Sequence, residues 1–280
     1  MQSAVLESRA PAASGQANLA PLLHEPAEVY HAKAGEYLSS HLLSDFRKCP
    51  QLFHQRRLGI VQDADRPAYL VGRAVHTLAL EGPDRFDEEF AVGGPINPQT
   101  GAPFGPTTKA FAQWAMEHGK DVLTDGQYAL VSNMAESVRT HELAASLLSE
   151  GVAEGVVRAN YCGVACQIRM DWFEPHQGIV DLKTCDDLTW FEADARRFGY
   201  GHQVAFYRAV LAQVLGVSMP VHFIAVEKRE PYRTGVWKVS DDTLSAAQRE
   251  NEAAIERLKR CQETGVWPTG YEECRVFDYV

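Results

Sequence analysis

Asp181 and Lys183 stand two residues apart in GIVDLKT, residues 178–184, inside a run that otherwise reads as a buried strand. Charged groups in such a run are costly unless paired or exposed. A second run, CQIRMDW, carries Arg169 and Asp171, and the EPHQG between the two has the punctuation of a turn in Pro175 and Gly178. Side chains alternate along a strand, so Ile179, Asp181 and Lys183 face one way and Val180 and Leu182 the other. By the same rule Ile168, Met170 and Trp172 share one face, and Arg169 and Asp171 share the opposite one. A hairpin folded about His176 sets Asp171 opposite Asp181, with Cβ atoms ~4.5–5.5 Å apart. Two carboxylates that close repel, and a divalent cation turns the repulsion into binding energy, since Mg²⁺ is typically held by one or two carboxylates. A lysine beside the cation can orient or deprotonate an attacking water, or stabilise charge developing on phosphorus. In outline this is a metal-assisted phosphodiester site; the bland alternative is a solvated network in which Asp171 pairs with Arg169 or Lys183.

The elements that must position these groups follow from periodicity. YLSSHLLSDFRKCPQLFHQRRLG has apolar residues at helical spacing, Ser39 and Ser40 as N-cap candidates and Pro50 as a break. PAYLVGRAVHTLALEG reads as a second helix stopped by Gly82. A Gly/Pro loop over residues 91–108 precedes helices at about 108–120 and 127–149. From about 152 the pattern turns to strands, AEGVVRANYCG, VACQIRMDWFE and GIVDLKT. The helix GYGHQVAFYRAVLAQVLG, the strands VHFIAVEK and GVWKVS, and a long polar helix from Asp241 follow. Helices, then a short, mostly antiparallel sheet, then helices on it: the class is α/β or α+β. No internal repeat is present. Residues 1–35, rich in Ala, Pro, Ser and Gly, read as a mobile tail, and 36–280 as a single domain.

Composition bounds the function. The 280 residues are 45% hydrophobic and 23% charged, the ordinary globular range, and no apolar stretch reaches the ~20 residues of a membrane helix. The first residues lack the basic start and apolar core of a signal peptide, so a cytoplasmic location with no membrane contact is the expectation. Six cysteines without a CxxC pair read as reduced thiols, with no structural zinc. A net charge of −10 counts against a nonspecific nucleic-acid coat, though not against a nuclease with one basic channel. No Gly-x-x-x-x-Gly-Lys-Ser/Thr occurs, which argues against ATP.

The Asp171, Asp181 and Lys183 arrangement resembles the PD-(D/E)xK nuclease superfamily, whose core is a central mixed, mostly antiparallel sheet flanked by helices. GRAVHTLALEG is similar to the Gly-x-x-x-His helix of its RecB-like branch, GHQVAFY to that branch's Gln-x-x-x-Tyr helix, and LSSHLLSDFRKCPQLF to its opening helix. QIRMDW, VDLKTCDD, GHQVAFYRAVL and WPTGY are most similar to RecE-type exonucleases, the exodeoxyribonuclease VIII group, and the likeness runs from about residue 38 to about 271. The resemblance implies that His76, Asp171, Asp181 and the backbone carbonyl of Leu182 bind one or two Mg²⁺ or Mn²⁺ ions. It makes Lys183 the residue that assists the nucleophile, and it has Glu154 act at a second ion or through water. Gln203 and Tyr207 then position Lys183 or the DNA backbone. It further implies 5′→3′ digestion of one strand at double-stranded DNA ends, a ring-shaped homo-oligomer, and a strand-annealing recombinase as partner. Some relatives hold an iron–sulfur cluster, but only Cys49 is early and Cys261 and Cys274 late, too few thiolates for one.

Each of these residues has a bland reading when taken alone: His76 as a core histidine, Gln203 and Tyr207 as helix packing, Glu154 as one more acid. Their order and spacing together favour the site. The helix start at Ser39 and Ser40 is a candidate terminal-phosphate pocket. Arg47, Arg73, Arg196 and Arg197 are candidate phosphate contacts, against an equal case for solvated surface charges. Two other readings compete: a RecB-like nuclease of other polarity or single-strand specificity, and a DNA-end-binding module without catalysis.

Overall fold

The computed structural model describes residues 22–61 and 67–277. The chain runs α1 (Ala27–Ala32), α2 (Ser40–Lys48), α3 (Pro50–Arg57), α4 (Pro67–His76), α5 (Pro83–Glu89), β1 (Phe90–Val92), α6 (Lys109–His118) and β2 (Asp121–Leu123). It continues through α7 (Asp125–Thr140), α8 (Glu142–Leu147), β3 (Val152–Tyr161), β4 (Val164–Glu174) and β5 (Gly178–Cys185). The remainder is α9 (Phe191–Phe198), α10 (Tyr200–Leu215), β6 (Val221–Glu227), β7 (Thr234–Lys238) and α11 (Asp241–Thr264). The strands β3 to β7 form one sheet in sequence order, antiparallel except where β5 lies parallel to β6. β1 and β2 pair separately. No helix among the described residues is long and apolar enough to cross a membrane.

The sheet has a core on each face. On one side Ile179, Met170 and Phe173 pack with Leu43 and Phe46 of α2, Phe206 and Val210 of α10, and Ile255 and Leu258 of α11. On the other, Val180 and Leu182 pack with Ala74 and Val75 of α4, Met134 and Val138 of α7, and Leu147 of α8. Truncating one such residue to Ala costs about 2–5 kcal/mol. The Asp181 and Lys183 pair therefore sits on a central strand buried on both faces, where only partners can make it tolerable. Gly178 opens that strand with φ +90°, and a Cβ there would lie 2.1 Å from the Pro220 carbonyl oxygen, so no other residue fits.

The β4–β5 register puts Trp172 against Val180 and Phe173 against Ile179, the alignment a turn about His176 demands. The face assignment along β4 differs from the sequence expectation at one residue. Ile168 and Met170 join the first core, while Trp172 packs against the second. Ala153 and Val157 of β3 are split between the two cores in the same way. The switch lies where the β3–β4 ladder skips from Ala153↔Trp172 to Gly155↔Met170, with Glu154 at φ 55°. Both strands are distorted at one level, so the register survives but the faces exchange.

The reading of residues 1–35 as a mobile tail needs correction from residue 22 onward; residues 1–21 lie outside the described residues. Leu23 exchanges backbone hydrogen bonds with Val156 at 2.8 and 2.9 Å, and Glu25 pairs with Arg158 and, at 3.6 Å, with Lys33. Tyr30 of α1 is buried, and its carbonyl accepts from Gln167 Nε2 at 3.0 Å. The segment covers the free edge of β3, whose unpaired backbone groups would otherwise be open. No local periodicity announces it because its partners on β3 and β4 lie more than a hundred residues away. The helix expected at about 127–149 is broken at His141, which is extended and caps α8 by accepting the Ala144 N–H at 3.2 Å. Pro50 starts α3 with Cys49 as N-cap, whose Sγ accepts from Leu52 N at 3.4 Å, which gives the Cys-Pro dipeptide a structural role.

Candidate metal centre and active site

His76 is the last residue of α4 and is followed by a π-helical turn, Thr77–Glu81, closed by Gly82 at φ 94°. Such wide turns are frequent at functional sites because they re-aim neighbouring side chains. Here His76 Nδ1 comes within 3.5 Å of Asp171 Oδ2. Asp171 Oδ2 in turn accepts the Leu182 N–H at 2.8 Å. Glu154, turned by its left-handed backbone, joins them. His76, Glu154 and Asp171 each present one ligand atom within 4.8 Å of the others, the single such group among the described residues.

Asp181 is fully buried and its Oδ1 has no hydrogen-bond partner, while Oδ2 lies 2.5 Å from Lys183 Nζ. Lys183 donates to Gln203 Oε1 at 3.2 Å, and Gln203 donates to the Tyr207 hydroxyl at 2.9 Å. The ammonium also lies 4.8 Å from the centre of the Tyr200 ring. Arg169 pairs with Glu154 at 2.9 Å rather than with Asp171. The solvated-network alternative fails, since none of these acids is more than 16% exposed.

Electrostatics follow from that burial. Desolvation, aided by the Lys183 charge, pushes His76 down to about 4, leaving a neutral imidazole with a free lone pair for a cation. Desolvation raises Asp181 to about 6 against the pull of Lys183. It raises Glu154 to about 8, with Asp171 adding to the rise, and it raises Asp171 as well. Burial alone would lower Lys183, but Asp181 and Asp171 outweigh it and hold the ammonium charged. A neutral imidazole, three crowded carboxylates and an orphaned buried oxygen are a donor set that suits a hard divalent cation. His76, Glu154 and Asp171 already lie within 4.8 Å of one another, whereas Asp181 stands outside that group, against Lys183.

A family model described as a PDDEXK-like domain of unknown function (DUF3799) matches residues 39–279. The chain belongs to this family. Its fold is that of the PD-(D/E)xK nucleases. Among solved structures, it is similar to a "Putative exonuclease" from Eubacterium rectale with TM-score 0.67 and 21% identity, covering 92% of this chain and 96% of that one. A structure of LHK-Exo in complex with dAMP aligns at TM-score 0.29 and 13% identity, over 71% of this chain and 95% of that one, too loosely to carry an argument. Comparison with curated proteins finds no match.

The PDDEXK-like core brings His76, Glu154, Asp171, Asp181, Lys183, Gln203 and Tyr207 into one chain of contacts. Glu154 lies beside the first ligands rather than apart from them. The expected phosphate contacts divide. Ser39 accepts the Leu42 N–H at 3.3 Å, which commits its hydroxyl to capping α2. Ser40 is buried beside Arg47, whose guanidinium meets His202 at 2.6 Å and Glu250 at 3.1 Å. Arg196 and Arg197 line a concavity with Arg47. Arg73 lies elsewhere, paired with Asp121 of β2. Sequence reasoning missed Tyr200 as a neighbour of Lys183. The signal was its spacing of three and seven from Gln203 and Tyr207, which puts all three on one helical face. It also missed that Arg169 pairs with Glu154, because alternation placed their faces without the distortion at 154 and 171.

Proposed function

We propose that the protein is a divalent-metal-dependent nuclease that hydrolyses phosphodiester bonds in DNA. The observation that carries this reading is the His76, Glu154 and Asp171 cluster set directly against the buried Asp181–Lys183 pair. His76, Asp171, Asp181 and the Leu182 carbonyl would hold one or two Mg²⁺ or Mn²⁺ ions, with Glu154 completing the set. Bound there, the ion supplies Lewis acidity toward the phosphoryl group and the departing 3′ oxygen.

The chain's own residues supply the remainder. Lys183, held beside the site by Asp181 and Gln203, would orient the attacking water or take its proton, and would donate to the phosphoryl oxygens on which charge grows. Asp181 anchors Lys183 from one side and Gln203 from the other, and Tyr207 fixes the Gln203 amide. Arg169, 2.9 Å from Glu154, offsets part of the negative charge of the acidic cluster.

The finer activity is a 5′→3′ exonuclease on double-stranded DNA ends. It would act in recombination by strand annealing, as a ring-shaped oligomer beside an annealing recombinase. The RecE-like motifs around Asp171, Asp181 and Gln203 support this. The test is digestion of linear duplexes bearing 5′-phosphate or 5′-hydroxyl ends, of circular duplex and of single strands, in Mg²⁺, Mn²⁺ or EDTA. Release of nucleotides from linear duplex only, faster from 5′-phosphate ends, is the expected result. Cleavage of circles or 3′-end release would overturn the polarity, and inertness on every substrate would overturn the nuclease reading.

A further inference from the structure

Three helices of the first face converge on a trough beside the metal centre. α2 brings Arg47 and Lys48, α9 brings Arg196, Arg197 and Phe198, and α11 brings Arg257 around a concavity of about 510 Å³. A smaller concavity shares Arg47, Lys48, Phe198 and His202 with it and reaches Tyr200 and Gln203, both in contact with Lys183. Through this smaller concavity the trough leads to two residues that touch Lys183.

Its charge runs against that of the chain. Acids outnumber bases by 37 to 27. Yet among the described residues no ion pair joins Lys48, Arg196, Arg197 or Arg257 to a carboxylate, whereas Arg47 is tied to Glu250 and His202. Arg196 and Arg197 fall in the last turn of α9, where cations complement the helix dipole. That accounts for Arg196 and Arg197, and equally for Lys48 in the last turn of α2, but not for Arg257, which arrives from within α11. Unpaired cations gathered in one hollow repel each other, and an anionic ligand removes that cost.

Phe198 decides what kind of anion. Its ring is 50% exposed at the end of α9, held against Tyr200 at 5.8 Å and beneath Arg197 at 5.4 Å. A large apolar face presented among arginines suits neither free phosphate nor a duplex, whose bases are stacked inward. It suits an unpaired base, since single-strand sites join a basic groove to aromatic platforms. Resting on the nuclease reading above, we propose that this trough binds a single-stranded DNA segment continuous with the strand at the metal centre, with Phe198 stacking a base and Lys48, Arg196, Arg197 and Arg257 holding phosphates.

The test is binding of fluorescein-labelled oligo(dT) and of a blunt duplex, by anisotropy in EDTA across a salt series, where no cleavage enters. F198A should weaken oligo(dT) binding about tenfold or more, the loss of one stacked base. R196A/R197A should weaken it and reduce the slope of log affinity against log salt by about 1.4, two phosphates at about 0.7 each. R139A on α7, across the sheet, should change neither. Should R196A/R197A melt earlier than the parent, K48A/R257A on the other two helices decides the matter. Unchanged oligo(dT) affinity in F198A and in both double variants overturns the proposal, as do losses confined to the blunt duplex. Because the readout is binding, a protein that cuts nothing can still pass, and an active nuclease can still fail.

Discussion

Asp171 Oδ2 accepts the backbone N–H of Leu182 at 2.8 Å, at the level where β4 and β5 cease to exchange ladder bonds. The carboxylate takes the place of a strand partner. It is thereby held in the plane of the sheet, between His76 on α4 and Asp181 on β5, with Glu154 entering from the matching distortion in β3. The site is an interruption of the sheet filled by acids, whose crowding a divalent cation would relieve.

Removing Lys183 leaves Asp181 buried without a partner. K183M should destabilise the protein by about 3–5 kcal/mol, and D181N/K183M should recover much of that loss because no lone charge remains. Urea melts in EDTA measure both. A double variant no better than K183M would contradict the pairing. Both variants should lose at least ~10²-fold in DNA hydrolysis.

Stability without metal should fall as pH rises from about 6.5 to 8.5. Glu154 is raised to about 8 from an ordinary 4.5, so the folded state holds a proton that the unfolded chain has already released. That contribution is complete below 4.5 and lost as pH passes through about 8, with a slope of up to ~1.4 kcal/mol per pH unit. His76, lowered to about 4 from 6.5, acts in the opposite sense but only below 6.5, outside this window. Saturating Mn²⁺ should therefore raise the urea midpoint more at pH 8.5 than at pH 6.5. A midpoint in EDTA that climbs across the window would refute the burial of Glu154.

Gly72 lies one turn before His76, and a Cβ there would meet nothing within 4 Å. G72A should raise stability by about 0.5–1 kcal/mol, since a glycine inside a helix costs that much. Loss of DNA hydrolysis in the same variant, with Mn²⁺ affinity retained, would show that the space over His76 serves the substrate. Thermal melts, titration calorimetry and nuclease assays together resolve the two effects.

Gln203 touches Lys183 and Tyr207. As a positioning residue it should affect turnover more than binding: Q203A should lower kcat about tenfold with little change in KM, and Q203E should restore part of it by accepting from the ammonium. An equal rise in KM and no effect on kcat would assign Gln203 to substrate binding instead.

Much of this site is local information. Asp181 and Lys183 at a spacing of two, Val180 and Leu182 between apolar neighbours, and the turn at Pro175 to Gly178 suffice to fix which face carries the charges and which residues of β5 oppose β4. Alternation and hairpin geometry depend on neighbours a few residues away, and the chain carries those in order. The tertiary structure alone decided that Glu154 and Asp171 distort two strands at one level, that residues 22–35 cover the β3 edge, and that α2, α9 and α11 meet in a basic trough. Those features are set by partners tens to hundreds of residues apart. Their energy comes from edge backbone groups, buried carboxylates and gathered cations that acquire neighbours only when the sheet and its two helical layers close.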